Sequence, residues 1–288
     1  LLKSETTLQL VWIQLRLRLR ELSAKSIYTL IPDIQQLVGA KNGWFTPDLA
    51  KELGVDVSLK LGAHFSPLPK KATLRLSQMG PKCPKALWHS IHTPGEAESL
   101  PPSAMIKFAY GHMIEAMIIA LAKAAGHEVT GEQDEVCVDG ILGHRDCIID
   151  GCVVDVKSAS SPSFKRFQDG SIAQNDTFGY LEQLDAYVLG SAEDPLVRVK
   201  DRGFDLAVDK QLGHLTLYEH HLREQHIRAR VAAYKEIAGL LSPPKCECGT
   251  IEYGESGNIA LDTQASYSLF KHCCFPSLRT FLYSRGPV

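Results

Sequence analysis

The chain lacks an excess of charge of either sign. Its 31 Lys and Arg stand against 33 Asp and Glu, a net charge of −2, so a nucleic-acid binder built from it must gather positive charge locally. It also lacks a run of about 18 consecutive apolar residues, which argues against a membrane span. A secretory signal is missing too, because Gln9, Gln14, Arg16 and Arg18 interrupt the apolar stretch 8–19. No internal repeat is visible. With no initiator Met, residues 1–25 are set apart as upstream readthrough, an expression remnant or an arm. The eight cysteines, at 83, 137, 147, 152, 246, 248, 273 and 274, then read as mostly free thiols in a reducing cytoplasm.

What is present is ordinary globular composition, 44% hydrophobic and 22% charged over 288 residues. That allows one large domain with appendages or two smaller ones. A core of this size needs neither disulfides nor metal. Residues 7–22 alternate apolar with Gln or Arg and suggest a strand. Residues 26–41 read as a helix, and Thr46-Pro47-Asp48 marks the start of another. The longest apolar helical pattern runs from 105 to 125 and stops at Gly126. Three strand-like runs follow, 135–138, 141–149 and 152–158, separated by Asp139-Gly140 and Asp150-Gly151. Both dipeptides are strong hairpin signals. Residues 160–176 read as a loop, 178–190 as a helix, 204–218 as holding at least one strand, and 219–241 as an amphipathic helix ended by Pro243-Pro244. The expected layout is a small helical region at 26–80, a core at 81–245 and a Cys-bearing tail at 246–288 that packs on it.

Chemistry concentrates in the core. Glu115 shares a helical face with Gly111, Ile118 and Ile119. A carboxylate among apolar neighbours needs a partner, and a metal ion or a lysine would serve. Asp146 lies in the first long strand of the hairpin, and Asp155 and Lys157 in the second. Alternation along a strand sends Asp155 and Lys157 to one face, and Val154 and Val156 to the other. Charged residues inside a Val-rich strand cost folding energy, and such violations of pattern are expected at functional sites. Three carboxylates could hold one or two Mg2+ or Mn2+ ions, with Lys157 orienting water or stabilising transition-state charge. Gln183 and Tyr187, four apart on a helix, could hold a water or a phosphate edge.

The ordered set Gly111-x-x-x-Glu115, Gly143-His-x-Asp146, Asp155-x-Lys157 and Gln183-x-x-x-Tyr187 resembles the motifs of the PD-(D/E)xK nucleases, in their RecB-like and lambda-exonuclease-like branch. The likeness is strongest from Cys83 to Tyr187. More widely, the 74–85 segment and Leu278-Arg-Thr-Phe-Leu-Tyr-Ser are similar to phage-encoded exonucleases of this group. The resemblance implies an α/β fold, a mixed central sheet flanked by helices in a restriction-endonuclease-like core. It implies Glu115, Asp146 and Asp155 as metal ligands, Lys157 as catalytic, and Gln183 and Tyr187 as the branch's auxiliary motif. It further implies DNA as substrate, phage recombination, replication or repair as setting, and a single-strand annealing or other recombination protein as partner.

Several relatives by this resemblance, including CRISPR-associated exonucleases, carry a four-iron, four-sulfur cluster. It is held by one cysteine before the core and a Cys-x2-Cys-x5-Cys after it. Cys83-Pro84-Lys85 matches the first position. In the tail, Ala265, Ser268 and Cys274 keep the spacing but only Cys274 keeps the ligand, so a standard cluster is not expected. Natural loss, replacement of the ligands, or a rewired iron–sulfur or zinc site drawing on Cys246, Cys248, Cys273 or Cys274 with Cys83 remain open. Cys246-x-Cys248 is tighter than the usual zinc-ribbon spacing.

In the 158–167 segment Lys165 and Arg166 offer phosphate contacts, and Phe164 and Phe167 either stack on a base or tuck onto the core. Lys70, Lys71 and Arg75 are a second candidate contact. The functional expectation is a divalent-metal-dependent DNA exonuclease. Its rivals are a catalytically silent DNA-binding or scaffold protein on the same fold, and an endonuclease specific for a site or a structure.

Overall fold

The computed structural model describes residues 25–41, 43–66, 72–255 and 257–279, and the backbone of 282–283 and 286–287. The strand expected over residues 7–22 lies outside the described residues.

Two Asp-Gly turns organise the centre. Asp139 and Gly140 have φ of +48° and +83°, Asp150 and Gly151 +52° and +78°. Both residues of each pair are left-handed, as a two-residue primed hairpin turn requires. The first turn joins β2 (Glu135–Val138) to β3 (Ile141–His144). The second joins β4 (Cys147–Ile149) to β5 (Cys152–Ala159). The sequence suggested one strand over 141–149, but the chain breaks at Arg145-Asp146. The Arg145 side chain, 1% exposed, turns inward to the Gly131 carbonyl, Ser191, Asp134 and Asp194. That inward anchor turns the backbone out of pairing, so β2–β3 forms its own ribbon and β4–β5 enters the main sheet.

The main sheet has the order β1 (Val129–Thr130), β4, β5, β6 (Val199–Asp209), β7 (Leu215–His221). Its pairs are antiparallel except β5–β6, which is parallel. A parallel pair needs a crossover, and the intervening chain supplies two helices: α5 (Ser161–Gln168) and α6 (Tyr180–Gly190). α5 replaces the loop expected over 160–176. Its Phe164 and Phe167 are buried with Ala159, Ile172 and Ala207, and that apolar anchoring explains a helix where polar composition suggested none.

Helices cover both faces of the sheet. On one side Ile27, Leu30 and Ile34, beside and within α1 (Leu30–Gly39), and Ile118 and Ile119 of α4 (Pro102–Ala124), pack on Val154, Phe204 and Leu206. On the other side Leu184 and Val188 of α6, and Ile227 and Val231 of α7 (Glu224–Gly239), pack on Ile148 and Val153. The fold class is therefore the expected mixed α/β sheet with flanking helices. α2 (Pro47–Phe65) begins where the sequence placed it, with Thr46 Oγ1 accepting from Leu49 N at 3.3 Å, and lies against α4. By length and composition α4 could cross a membrane, which the sequence reading did not single out. In this fold it packs against α2 and β5.

Beyond α7 the tail holds an exposed hairpin, β8 (Thr250–Tyr253) with β9 (Asn258–Leu261). Two short helices follow, α8 (Thr263–Ser266) and α9 (Lys271–Cys274). α9 lies against α3 (Pro84–His92).

Candidate active site

The site sits where β4 and β5 part. Pairing between them ends at Cys147 opposite Val154, while β5 runs on to Ala159 with β6 on its other side. The N–H of Val156 is thus past the reach of β4, and the Asp146 carboxylate accepts it at 2.8 Å. Asp146 caps the fork from the two-residue break rather than from within a strand. Asp155 and Lys157 follow the alternation of β5 onto the α6 side, with Val153, whereas Val154 and Val156 join the core on the α4 side. Asp155 is 2% exposed and touches the Lys157 ammonium. Lys157 Nζ donates to Gln183 Oε1 at 3.2 Å, and Gln183 Nε2 donates to the Tyr187 hydroxyl at 3.1 Å. The ring of Tyr180 lies 4.8 Å from the same ammonium. The Gln183 and Tyr187 spacing on α6 therefore serves to hold Lys157. Gly143 makes room for this arrangement, since a Cβ there would lie 3.1 Å from the Tyr187 ring and 2.7 Å from Leu76. At Gly111 a Cβ would find only ordinary contact, 3.6 Å from Ser158 Oγ.

Glu115 reaches the same place from α4. Gln133 Nε2 donates to Glu115 Oε1 at 2.8 Å and lies 3.5 Å from Asp146 Oδ1, so one amide spans both carboxylates. Lys60 of α2 lies 3.5 Å from Glu115 and 2.7 Å from Asp56. All six residues picked from the sequence as catalytic are thus brought into one connected group.

Negative charge is crowded here. Burial raises the pKa of Glu115, and Asp155 and Asp56 add to the rise against the pull of Lys60. Burial pushes Asp146 well above the carboxylate range, with Asp155 and Glu115 adding to it. Burial alone would lower Lys157, but Asp155, Asp205 and Asp146 outweigh it and hold the ammonium above its ordinary value. Like charges this close favour protonation of one another unless a cation sits among them.

The sequence reading missed three members. Asp205 on β6 lies opposite Asp155 in the parallel register. It is 0% exposed, and neither of its carboxylate oxygens has a hydrogen-bond partner. An acid in the apolar run of β6 was a signal, but only sheet pairing shows which acid it faces. Lys60 lies on a surface-rich helix far away in sequence and gave no signal. Gln133, at φ +56°, sits in a polar turn where nothing marked it.

In front of Glu115 and Asp146 opens a cleft of about 1110 Å³, lined by Lys60, Arg75, His64, His112 and His144 together with Asp56, Glu132 and Glu135. Arg75 is the part of the second candidate phosphate contact that falls among the described residues. Lys70 and Lys71 lie outside them. Of the other suggested DNA contacts, Lys165 is exposed. Arg166 is engaged with the Asn175 carbonyl and Ser163. Phe164, 4% exposed, is buried in the core and presents no ring to a base.

Glu115, Asp146 and Asp155 offer oxygen donors of the kind a hard divalent cation takes, with Asp155 Oδ2 already in contact with Lys157, but their oxygens do not close to within 4.8 Å of one another as those of the two groups that follow do. Among the described residues Cys83, Cys246, Cys248 and Cys274 form a second, soft donor set, and His89, Glu96 and Cys273 a smaller group beside it.

No family model and no curated protein matches the chain. Among solved structures it is similar to SSO0001, at TM-score 0.40 and 14% identity over 78% of this chain and 97% of that one. It is also similar to an alkaline exonuclease (LHK-Exo) from Laribacter hongkongensis, at TM-score 0.36 and 10% identity over 58% of this chain and 88% of that one. Both likenesses are distant.

Proposed function

We propose that this chain is a divalent-metal-dependent nuclease that hydrolyses phosphodiester bonds in DNA. The observation that carries the reading is the gathering of Glu115 and Asp146 at an open cleft, with the buried Asp155–Lys157 pair directly behind them. Behind them Asp205 has no hydrogen-bond partner on either oxygen, whereas structural carboxylates are normally given partners by the fold, so this crowding of acids supports a ligand that binds from outside.

Glu115, Asp146 and Asp155 would hold one or two Mg2+ or Mn2+ ions. Such an ion polarises a phosphate oxygen, eases deprotonation of an attacking water and neutralises charge on the leaving oxygen. Lys157, kept charged by its acidic neighbours and aimed by Gln183, stabilises charge on the phosphoryl group and orients the water. Gln183 and Tyr187 act as positioning residues for that lysine. Arg75, His64, His112 and His144 along the cleft contact the DNA backbone. Attack from a DNA end is the finer reading. It rests on the motif resemblance, as does a role in phage DNA recombination, replication or repair alongside an annealing protein in the host cytoplasm.

The test is incubation of the protein with an end-labelled linear duplex and a closed circular plasmid, in Mg2+, Mn2+ or EDTA. The expected result is metal-dependent loss of the linear DNA with the circle intact, abolished in Lys157→Ala. Cleavage of the circle would make it an endonuclease. A second reading, a silent DNA-binding protein, is favoured by Lys60 and the Gln133 amide already engaging Glu115. DNA binding that is unchanged in Asp155→Ala, with no hydrolysis in either metal, would establish that reading instead.

A further inference from the structure

The four cysteines gathered at the base of the tail make up a second metal centre of a different chemistry. Cys83 caps the N-terminus of α3, Cys246 and Cys248 follow α7, and Cys274 ends α9. Three separate stretches of chain, spanning 191 positions from Cys83 to Cys274, therefore meet at one point. All four sulfurs lie within 4.8 Å of one another. Cys83 Sγ is 3.9 Å from Cys246 Sγ and 3.7 Å from Cys274 Sγ. A tetrahedral ion with metal–sulfur bonds of about 2.3 Å places its sulfurs about 3.8 Å apart, so these two separations match edges of one coordination tetrahedron and the remaining ones, all under 4.8 Å, lie close to it. Disulfide-bonded sulfurs would be far closer, at about 2.05 Å. A four-iron cluster would hold its thiolates farther apart, each on its own iron at a corner of a cube.

The two tail positions that would complete the spaced Cys-x2-Cys-x5-Cys pattern take no part. Ala265 is buried and has no ligand atom, and Ser268 Oγ accepts the Phe270 N–H at 3.2 Å. Cys246 and Cys248 enter from before the β8–β9 hairpin and fill the places those residues leave. Backbone N–H groups already point at the sulfurs: Glu247 N donates to Cys83 Sγ and Cys248 N to Cys246 Sγ, each at 3.4 Å. Such bonds stabilise thiolate over thiol, the form that a metal requires.

We propose that Cys83, Cys246, Cys248 and Cys274 bind a single zinc ion as a closed tetrathiolate site that staples the tail to the start of α3. The tail has reason to need it. The strands of its hairpin are exposed or half-exposed, and among its described residues only Ala265 and Cys274 are buried, too little apolar surface to hold some 35 residues in place. The site also lies behind the turn that leads into α6. Phe178 stacks edge-on against Tyr267, and Gly179 meets Gly80 backbone to backbone. The staple therefore backs the helix carrying Gln183 and Tyr187 without touching the carboxylate centre.

The test uses the full chain, purified under reducing conditions. Elemental analysis is expected to return about one zinc per chain, released by a mercurial that titrates thiols. Refolding or exchange with Co2+ should give the intense visible bands of tetrahedral cobalt and the near-ultraviolet thiolate-to-cobalt charge transfer. Cys248→Ser should lose the zinc, while Cys137→Ser, an exposed thiol on β2, keeps it. Zinc release should open the tail beyond residue 245 to protease while the core survives. Because the cobalt spectrum is read on the unsubstituted protein, poor folding of Cys248→Ser would leave the proposal testable. Iron with acid-labile sulfide, a disulfide among the four cysteines, or a reduced protein free of zinc and giving no cobalt–thiolate bands would each overturn it.

Discussion

Asp185 and Asp205 are both 0% exposed, and the fold treats them in opposite ways. Asp185, on α6, accepts from His220 Nε2 at 3.0 Å, from the Arg223 N–H at 3.0 Å and from Arg223 Nε at 2.8 Å. Burial pushes its pKa up, but those donors more than offset the push and hold it below the usual range. Asp205, on β6, has no hydrogen-bond partner on either oxygen. Burial drives it well above the usual range, Lys157 offsets only part of that, and Asp155 adds to it. Asp155, opposite it in the register, has its Oδ2 in contact with the Lys157 ammonium. One region is a solved structural problem. The other is left unsolved next to a lysine and two further acids, and a region that carries this cost without structural return is a region kept for a ligand.

The sharpest way to break this contrast is to remove one charge from each region. Asp155→Asn should lower metal-dependent hydrolysis by about 10³-fold or more, with the smaller loss in thermal midpoint of the two, because Asp205 and Asp146 remain beside Lys157. Asp185→Asn should do the reverse. It strands Arg223 and His220 beside a neutral amide, at a cost of about 1–3 kcal/mol because the Arg223 side chain is 39% exposed. Activity per folded molecule should survive. Paired melting curves and single-turnover assays decide the matter. If Asp155→Asn unfolds the protein and Asp185→Asn leaves it intact, the two regions have been assigned the wrong way round.

Acid titration in EDTA gives the next largest effect and separates the regions by sign. A carboxyl whose folded pKa is depressed contributes stability above its unfolded value, near 3.8, and loses it as pH falls through the lower folded value. Asp185→Asn should therefore be most damaging at neutral pH and converge on the parent in strong acid. A carboxyl whose folded pKa is raised contributes a penalty that is absent below 3.8 and grows as pH climbs toward the folded value. Asp205→Asn should then match the parent in acid and melt higher than it at neutral pH. Midpoints measured across the range would show curves diverging in opposite directions. A pair that moves in the same direction would remove the distinction.

The sequence made the bare region legible only in part, for physical reasons. Asp155 and Lys157 stood out because a strand buried on both faces should be apolar throughout, and two charges two apart broke that pattern. Glu115 stood out on an apolar helical face. Asp146 was legible as an acid but misplaced within a strand, because the inward turn of Arg145 that ends β3 depends on Asp134 and Asp194, which are distant in sequence. Asp205 and Lys60 stayed hidden because only tertiary packing brings them to the site. Likewise α5 was hidden because polar residues outnumber its two buried phenylalanines. The thiol cluster shows the same limit from the other side. Cys83, Cys246, Cys248 and Cys274 were legible as candidates for a rewired site, but only packing shows that these four meet and that Cys273 belongs to a different group.

The smallest expected effect tests how bare the carboxylate region is. Gln133 places one amide between Glu115 and Asp146, where it donates hydrogen bonds without neutralising charge, and it does so from a backbone at φ +56° that a side chain with a Cβ adopts at a cost. Replacement by glycine removes both the amide and the Cβ, so the turn itself should gain up to about 1 kcal/mol of stability. With the amide gone, no donor spans the two carboxylates, and they should take Mn2+ about threefold more tightly, roughly 0.7 kcal/mol. Calorimetric titration of Gln133→Gly against the parent measures that change. If Mn2+ affinity instead falls by tenfold or more, Gln133 is a positioning residue that preorganises Glu115 and Asp146. In that case only Asp205, of the acids at the site, remains without a hydrogen-bond partner on either oxygen.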